Sequence, residues 1–277
     1  MKITISIISF FAFLLCFTAC KKASTPSSNN TGGVGTQLVR IQQGTDPTED
    51  TVLKIVYTGN NIHYIYDSIF DGDTSTPDTL YATYDGSGKL ISAADNGNVS
   101  ATYTYNSSGM LTQIDNMQFG EHEIYNYTYT GGVISQKTWA TDAGQGGTPI
   151  LYRVSNYTVT NGNISEIKLY DRANNLQDDL TFTYGSQAQS ATFKQLGLLN
   201  IGNLLGIDNF SGFDDYSLDS YFNSNVISSF TEVSSGSVAT FTNTFNSGQL
   251  PVKIVNNIPG TINSGTSGLF TWFFTYQ

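Results

Sequence analysis

The chain has 277 residues, 12 basic and 22 acidic, for a net charge of −10. That balance lacks the basic face that phosphate binding requires, so nucleic acid is excluded as a partner. Only 12% of residues are charged, and with 17 Tyr and 17 Phe the remainder has the composition of a β protein.

The N-terminus reads as a secretory signal: Met1-Lys2, an apolar run from Ile3 to Phe17, then small residues before Cys20. Phe17-Thr18-Ala19-Cys20 resembles the lipobox of bacterial lipoproteins, usually Leu-small-small-Cys. The resemblance implies removal of residues 1–19 as a signal peptide and acylation of Cys20 as the first mature residue. Lipid chains on Cys20 would hold the protein on a membrane. Both cysteines, Cys16 and Cys20, would then be spent, which excludes disulfides, thiolate metal sites and a Cys nucleophile. Lys21-Lys22 follow the Cys where an inner-membrane retention signal has Asp, and no acidic cluster stands there. The expected location is the outer membrane, with the periplasmic leaflet favoured over the cell surface. Residues 20–36 are poor in apolar side chains and predict a flexible tether spanning about 20 Å. Residues 37–277 predict a single β domain.

That domain repeats one phrase: an aromatic strand, a Gly/Asn/Asp turn, an aliphatic strand. The clearest copy is Ala101 to Tyr105, Asn106-Ser107-Ser108-Gly109, then Met110 to Ile114. Others turn at Asp85-Gly86-Ser87-Gly88 and Thr130-Gly131-Gly132, and weaker ones at Gly59, Gly162, Gly185-Ser186, Asn223-Ser224-Asn225 and Asn246-Ser247-Gly248. Tight hairpin turns favour these residues because they tolerate positive φ. In the leading strands Tyr103 and Tyr105 alternate with Thr102 and Thr104, and Tyr125, Tyr127 and Tyr129 with Asn126 and Thr128. A period of two with unlike faces predicts an antiparallel sheet, aromatic on one side and Thr/Asn on the other.

Tyr103-Thr104-Tyr105-Asn106-Ser107-Ser108-Gly109-Met110-Leu111 resembles the YD repeat of RHS-type proteins, Tyr-x-Tyr-Asp-x-x-Gly-x-Leu, and Tyr84-Asp85-Gly86-Ser87-Gly88-Lys89-Leu90 matches its second half. The layout of residues 50–277 resembles a family of Gram-negative lipoproteins of unknown function built from degenerate copies of this repeat. It implies a hairpin meander and brings no catalytic residue. The expected fold is all-β: an antiparallel meander of repeated hairpins forming a large curved or sandwich-like sheet. One stretch, 193–210, is apolar without alternating and predicts a short helix or packed loop over one end. A membrane-integral barrel is disfavoured, because the regular runs fall short of the 9–11 residues of a spanning strand and one face is Thr/Asn.

Candidate sites are few. Asp71, Asp73 and Ser75 place oxygen ligands on alternate residues, as a calcium loop does, but lack a closing Glu; a solvated hairpin loop is the alternative. No other cofactor is expected. Glu121-His122-Glu123 and His63 are thin material for zinc. The paired acids Asp178-Asp179 and Asp214-Asp215 point to opposite faces of a strand, so a glycosidase would need a cross-strand partner. Trp139 lies just past the Val133-Ile134 strand and enters the Gly-rich segment 142–147, where it is the candidate anchor for a ligand. The expected function is a non-catalytic, lipid-anchored envelope module that binds a glycan or a partner protein. The alternative is a carbohydrate hydrolase using cross-strand Asp/Glu.

Overall fold

A computed structural model describes residues 36–44, 53–67, 79–118, 120–199, 219–259 and 268–277. The signal segment, Cys20 and the tether up to residue 35 lie outside them, as do Asp71, Asp73, Ser75 and Asp214-Asp215. Sixteen strands follow in chain order: β1 (Leu38–Gln43), β2 (Leu53–Thr58), β3 (Asn61–Asp67), β4 (Thr79–Tyr84), β5 (Leu90–Asp95), β6 (Asn98–Tyr105), β7 (Leu111–Gln118), β8 (Glu121–Thr130), β9 (Val133–Thr141), β10 (Ile150–Thr160), β11 (Asn163–Asp171), β12 (Leu176–Ala188), β13 (Asn225–Glu232), β14 (Ser237–Phe245), β15 (Pro251–Ile258) and β16 (Gly268–Tyr276). Helix α1 (Ala191–Leu198) lies between β12 and β13.

Each strand pairs antiparallel with the next, and β16 pairs back onto β1, so the meander closes into a barrel. Gln37 and Gln277 exchange backbone hydrogen bonds of 3.2 and 2.9 Å at the seam. This corrects the expectation of an open or sandwich-like sheet. Alternation tells which face of a strand is buried, whereas closure depends on accumulated twist and stagger, which no single strand carries. Closure leaves no unpaired edge.

The aromatic face is the interior. Tyr103, Tyr125, Tyr127, Phe182, Phe230, Phe241, Trp272 and Phe274 are buried there with Ile55, Ile65, Ile114 and Ile167. The Thr/Asn face is the exterior and carries its own cross-strand hydrogen bonds, including Gln113 to Asn126 and Gln136 to Asn156, both 2.9 Å.

At one end of the barrel, here the latched end, the repeat closes with a fixed chemistry. The Asp85 carboxylate accepts from the amides of Ser87 and Lys89; the Asn106 side chain does the same for Ser108 and Met110, and Asn246 for Gly248 and Leu250. Gly109 takes φ +79°, as the turn requires. The register shifts by one residue between Thr and Tyr at Thr83/Tyr84, Thr104/Tyr105, Thr128/Tyr129 and Thr183/Tyr184. This bulge turns the Tyr hydroxyl onto the preceding hairpin. Tyr57 donates to the Leu38 carbonyl, Tyr105 to Leu90, Tyr129 to Leu111, Tyr184 to Ile164 and Tyr276 to Pro251. In β14 Phe245 holds the Tyr position, and Asn243 supplies the donor to Ile227 instead. Gly185-Ser186 lies inside β12 and Asn223-Ser224 leads into β13, so neither is a hairpin turn.

The segment between β12 and β13 caps this end. Ser190 caps α1 by accepting from the Phe193 amide. The helix buries Leu196 and Leu198. Tyr103 donates to the Leu198 carbonyl at 2.7 Å, Gln195 accepts from the Ile62 amide at 3.1 Å, and Phe193 packs on Phe274. Beyond it, Asp219 accepts two 2.9 Å hydrogen bonds from Lys137 Nζ, both side chains almost fully buried. Asn223 accepts from the Ile164 amide, and Phe222 packs on Tyr127. The apolar, non-alternating stretch is thus a helix where it is described, and its role over one end matches the sequence expectation.

Candidate functional site

At the opposite, open end the interior becomes polar. Glu123 accepts from Asn116 at 3.1 Å and from the Tyr125 hydroxyl at 3.0 Å. Tyr125 stacks on Trp139 with ring centroids 6.1 Å apart and 16° between planes, and Tyr152 meets Trp139 edge-on at 4.8 Å. The Arg153 guanidinium lies 5.3 Å from the Trp139 ring and 5.4 Å from Tyr152. These residues share a face because β8, β9 and β10 run in register: Tyr125 opposes Trp139, and Trp139 opposes Arg153.

Beside this wall is a cavity of about 330 Å³, lined by Tyr152, Arg153, Asp171, Gln177, Asp178 and Glu232. Asp178 and Glu232 are buried. Glu232 opposes Leu180, two residues along β12 from Asp178, so the two acids are diagonal neighbours on the inner face. Such neighbours lie about 7–8 Å apart. Asp171 has another job: it accepts from the amides of Ala173 and Asn175 and from the side chains of Asn175 and Gln177. Those bonds, from Asn175 first, hold its carboxyl below the usual range. Trp139 Nε1 and Arg153 Nη1 are buried donors without a hydrogen-bond acceptor among the described residues.

Trp139 therefore stands on β9 rather than in the Gly-rich loop, half-buried and facing inward. The alternation Lys137, Trp139, Thr141 placed it on a core face, but Lys137 hid the pattern, because a lysine at a core position reads as exposed. Asp178 and Asp179 do point to opposite faces. Asp179 sits outside, 3.7 Å from Lys168 Nζ, with its carboxyl raised chiefly by burial and that lysine opposing. Of the paired acids among the described residues, Asp178 enters the site and Asp179 does not. Glu232, Arg153 and Tyr152 were not singled out from sequence. Their only signal is position near strand ends on the aromatic face. His122 pairs with Asp115 at 3.0 Å, away from His63, and no group of three His, Cys, Asp or Glu suited to a metal occurs among the described residues.

No family model matches the chain, and no curated protein matches it. One solved structure shares its fold, and others align more loosely. A porin-like protein from Bacteroides uniformis is 14% identical with a TM-score of 0.55, covering 88% of this chain and 99% of that one. A second porin-like protein, from Bacteroides vulgatus, is 12% identical with a TM-score of 0.46 over 87% and 98%. The TcdB2-TccC3 complex is 15% identical with a TM-score of 0.26, covering 76% of this chain and 11% of that chain. The first of these likenesses is one of fold: an antiparallel β architecture spanning nearly the whole of both chains.

Proposed function

We propose that this chain is a non-catalytic barrel of the outer membrane, held on the periplasmic leaflet by lipid on Cys20, that binds a glycan in the cavity at its open end. The observation that carries the reading is that cavity: Tyr152, which Trp139 backs with an edge contact, beside Arg153, Gln177, Asp178 and Glu232. A sugar ring offers a flat C–H face and a rim of hydroxyls, and the cavity offers a ring edge for the first and donors and acceptors for the second. Arg153, which lines the cavity, keeps a buried Nη1 without a hydrogen-bond acceptor among the described residues. Transport through the barrel is not proposed. Its interior is packed with side chains, one end is capped, and its outer face bears hydrogen-bonded polar rows where a lipid-facing band is apolar.

The diagonal pair Asp178 and Glu232 gives the hydrolase reading its observation, since glycosidase carboxyls stand about 5–9.5 Å apart. One experiment separates the readings. The protein is screened on a glycan array, and each hit is incubated and assayed for released reducing ends. Binding that Gln177→Ala and Arg153→Gln each weaken at least tenfold, with no product, supports the binding module. Product formation abolished by Asp178→Asn supports the hydrolase. No glycan bound at all moves the reading to a partner protein. The anchor is tested by mass spectrometry of the mature N-terminus: an unmodified terminus at another residue overturns it, and Cys20→Ser is expected to release the protein to the soluble fraction.

A further inference from the structure

The charges lining the open-end cavity are unequal. Three carboxylates, Asp171, Asp178 and Glu232, face one guanidinium, Arg153, a surplus of two negative charges among the described lining residues. Arg153 is turned to aromatic rings, 5.3 Å from Trp139 and 5.4 Å from Tyr152. Asp178 accepts from the Asp179 amide at 2.8 Å, and Glu232 accepts from the Ser235 hydroxyl. Both donors are neutral, so they orient each carboxylate without cancelling its charge. The connections flanking the cavity at this end, 142–149, 172–175 and 233–236, all belong to the described residues.

Two carboxylates buried on one inner face repel each other more than they would in water, because the local dielectric is low. A cation between them relieves that repulsion. The diagonal placement of Asp178 and Glu232, with about 7–8 Å between their backbones, suits one. An ammonium that bonds both carboxylates at about 2.7–2.9 Å sets their oxygens no more than about 6 Å apart. We propose that the sugar this cavity takes carries a free amine, its ammonium held between Asp178 and Glu232 and its ring hydroxyls met by Arg153, Gln177 and Ser234. The proposal rests on the glycan reading above and adds the charge of the ligand to it.

The rest of the lining distinguishes an amino sugar from other cations. A metal ion is the poorer occupant, because no three His, Cys, Asp or Glu among the described residues are placed to hold one. A bare amine leaves the Tyr152 ring and the donors of Gln177, Ser234 and Arg153 without a match. The volume of about 330 Å³ stands near the lower end of ligand pockets, about 300–1,000 Å³, and suits a short stretch of glycan. Selectivity follows from the same charges. A neutral or N-acetylated sugar leaves the surplus uncompensated, and a uronic acid adds to it, so the two acids reject as well as attract.

The test is calorimetric titration of the purified protein with tetrasaccharides of glucosamine, N-acetylglucosamine and glucose in the same linkage, which differ only in the group at the amine position. The glucosamine chain is expected to bind at least tenfold more tightly than either of the others. Spermine, which has the same number of amines and no sugar ring, is expected to bind at least tenfold more weakly than the glucosamine chain. Glu232→Gln and Asp178→Asn, each checked by its melting curve, are expected to weaken the glucosamine chain at least tenfold. The preference among the three sugars is read on the parent protein, so it stands even if a variant fails to fold. Equal binding of the three chains, tighter binding of the N-acetylated chain, or spermine binding as tightly as the glucosamine chain overturns the amine, while a bound sugar keeps the glycan reading. Folded variants that bind the glucosamine chain as tightly as the parent overturn the placement between Asp178 and Glu232. No binding by any chain overturns the glycan reading and the amine together.

Discussion

The two ends of the barrel are built by different rules. At the latched end the hairpins repeat the same devices: an Asp or Asn that closes the turn, and a Tyr hydroxyl that ties one hairpin to the one before it. The interior there is covered by a helix and the segment after it, and its buried polar groups, Lys137 with Asp219 and Asn223 with the Ile164 amide, are paired. At the open end the connections differ from one another and the interior carries buried acids. Repetition at one end secures the frame; the other end is left free to vary, which is where binding chemistry accumulates.

The sharpest way to break this comparison is at the cap. Lys137→Met removes the cation that faces Asp219 across the buried interface. Leaving that carboxylate buried without its lysine is expected to destabilise the fold by about 3–5 kcal/mol, read as a shift in the urea midpoint. Lys137→Met with Asp219→Leu is expected to recover most of the loss, because an apolar pair of similar volume removes the charge as well. A single variant within a few tenths of a kcal/mol of the parent would mean that the cap lies on the barrel without securing it.

The turns come next. Gly109→Val puts a β-branched residue at φ +79° and its Cβ 2.9 Å from Lys89 Nζ. The lysine tip can swing away, but the backbone strain stays, so the expected loss is about 1–2 kcal/mol. An unchanged melting temperature would show that the turn relaxes and that the latched end is less constrained than its geometry implies.

The tyrosine latches should each matter a little less. Tyr105→Phe deletes the 2.9 Å hydrogen bond to Leu90, for an expected loss of about 0.5–1.5 kcal/mol. The latches, with Tyr84, whose hydroxyl meets Gln195 of the capping helix, also set an alkaline limit. Burial pushes the Tyr84 hydroxyl up to about 12, and those of Tyr57, Tyr105, Tyr129 and Tyr276 upward as well. Unfolded, these groups ionise near 10.0. Above that pH the folded state holds more protons than the unfolded state, so stability falls as pH rises from about 10 through the folded values, and is complete below 10. Urea midpoints measured from pH 8 to 11 are expected to be flat and then to drop, and Tyr84→Phe is expected to make the drop shallower. A midpoint level to pH 11 would contradict a buried tyrosine ring.

What the sequence reveals follows the same division. Tyr103, Tyr105, Asn106 and Gly109 carry local signals, since alternation and turn chemistry act within a few residues, and these positions land where the pattern puts them. Closure of β16 on β1 is long-range and leaves no local mark. The open-end site was read only in part for a similar reason. Arg153, Asp178 and Glu232 sit on three strands, and each alone looks like a charge near a strand end. Trp139 lies on β9 rather than past it in the Gly-rich loop, a placement the sequence hides because the buried Lys137 interrupts the apolar face of β9.

The smallest stability effect belongs to the open end, and it is the one that separates frame from function. Tyr152 is 52% exposed and makes an edge contact to Trp139 at 4.8 Å. Its truncation to Ala removes no hydrogen bond shown in the structure and opens no closed core, so Tyr152→Ala is expected to change stability by no more than about 0.5 kcal/mol. The same change strips the cavity of one aromatic wall and leaves Arg153 stacked on Trp139 alone. If the cavity holds a glycan, affinity for that glycan is expected to fall at least tenfold while the urea midpoint stays put. A variant that loses stability and affinity together would mean that Tyr152 belongs to the frame. One that loses neither would take the aromatic wall out of the site.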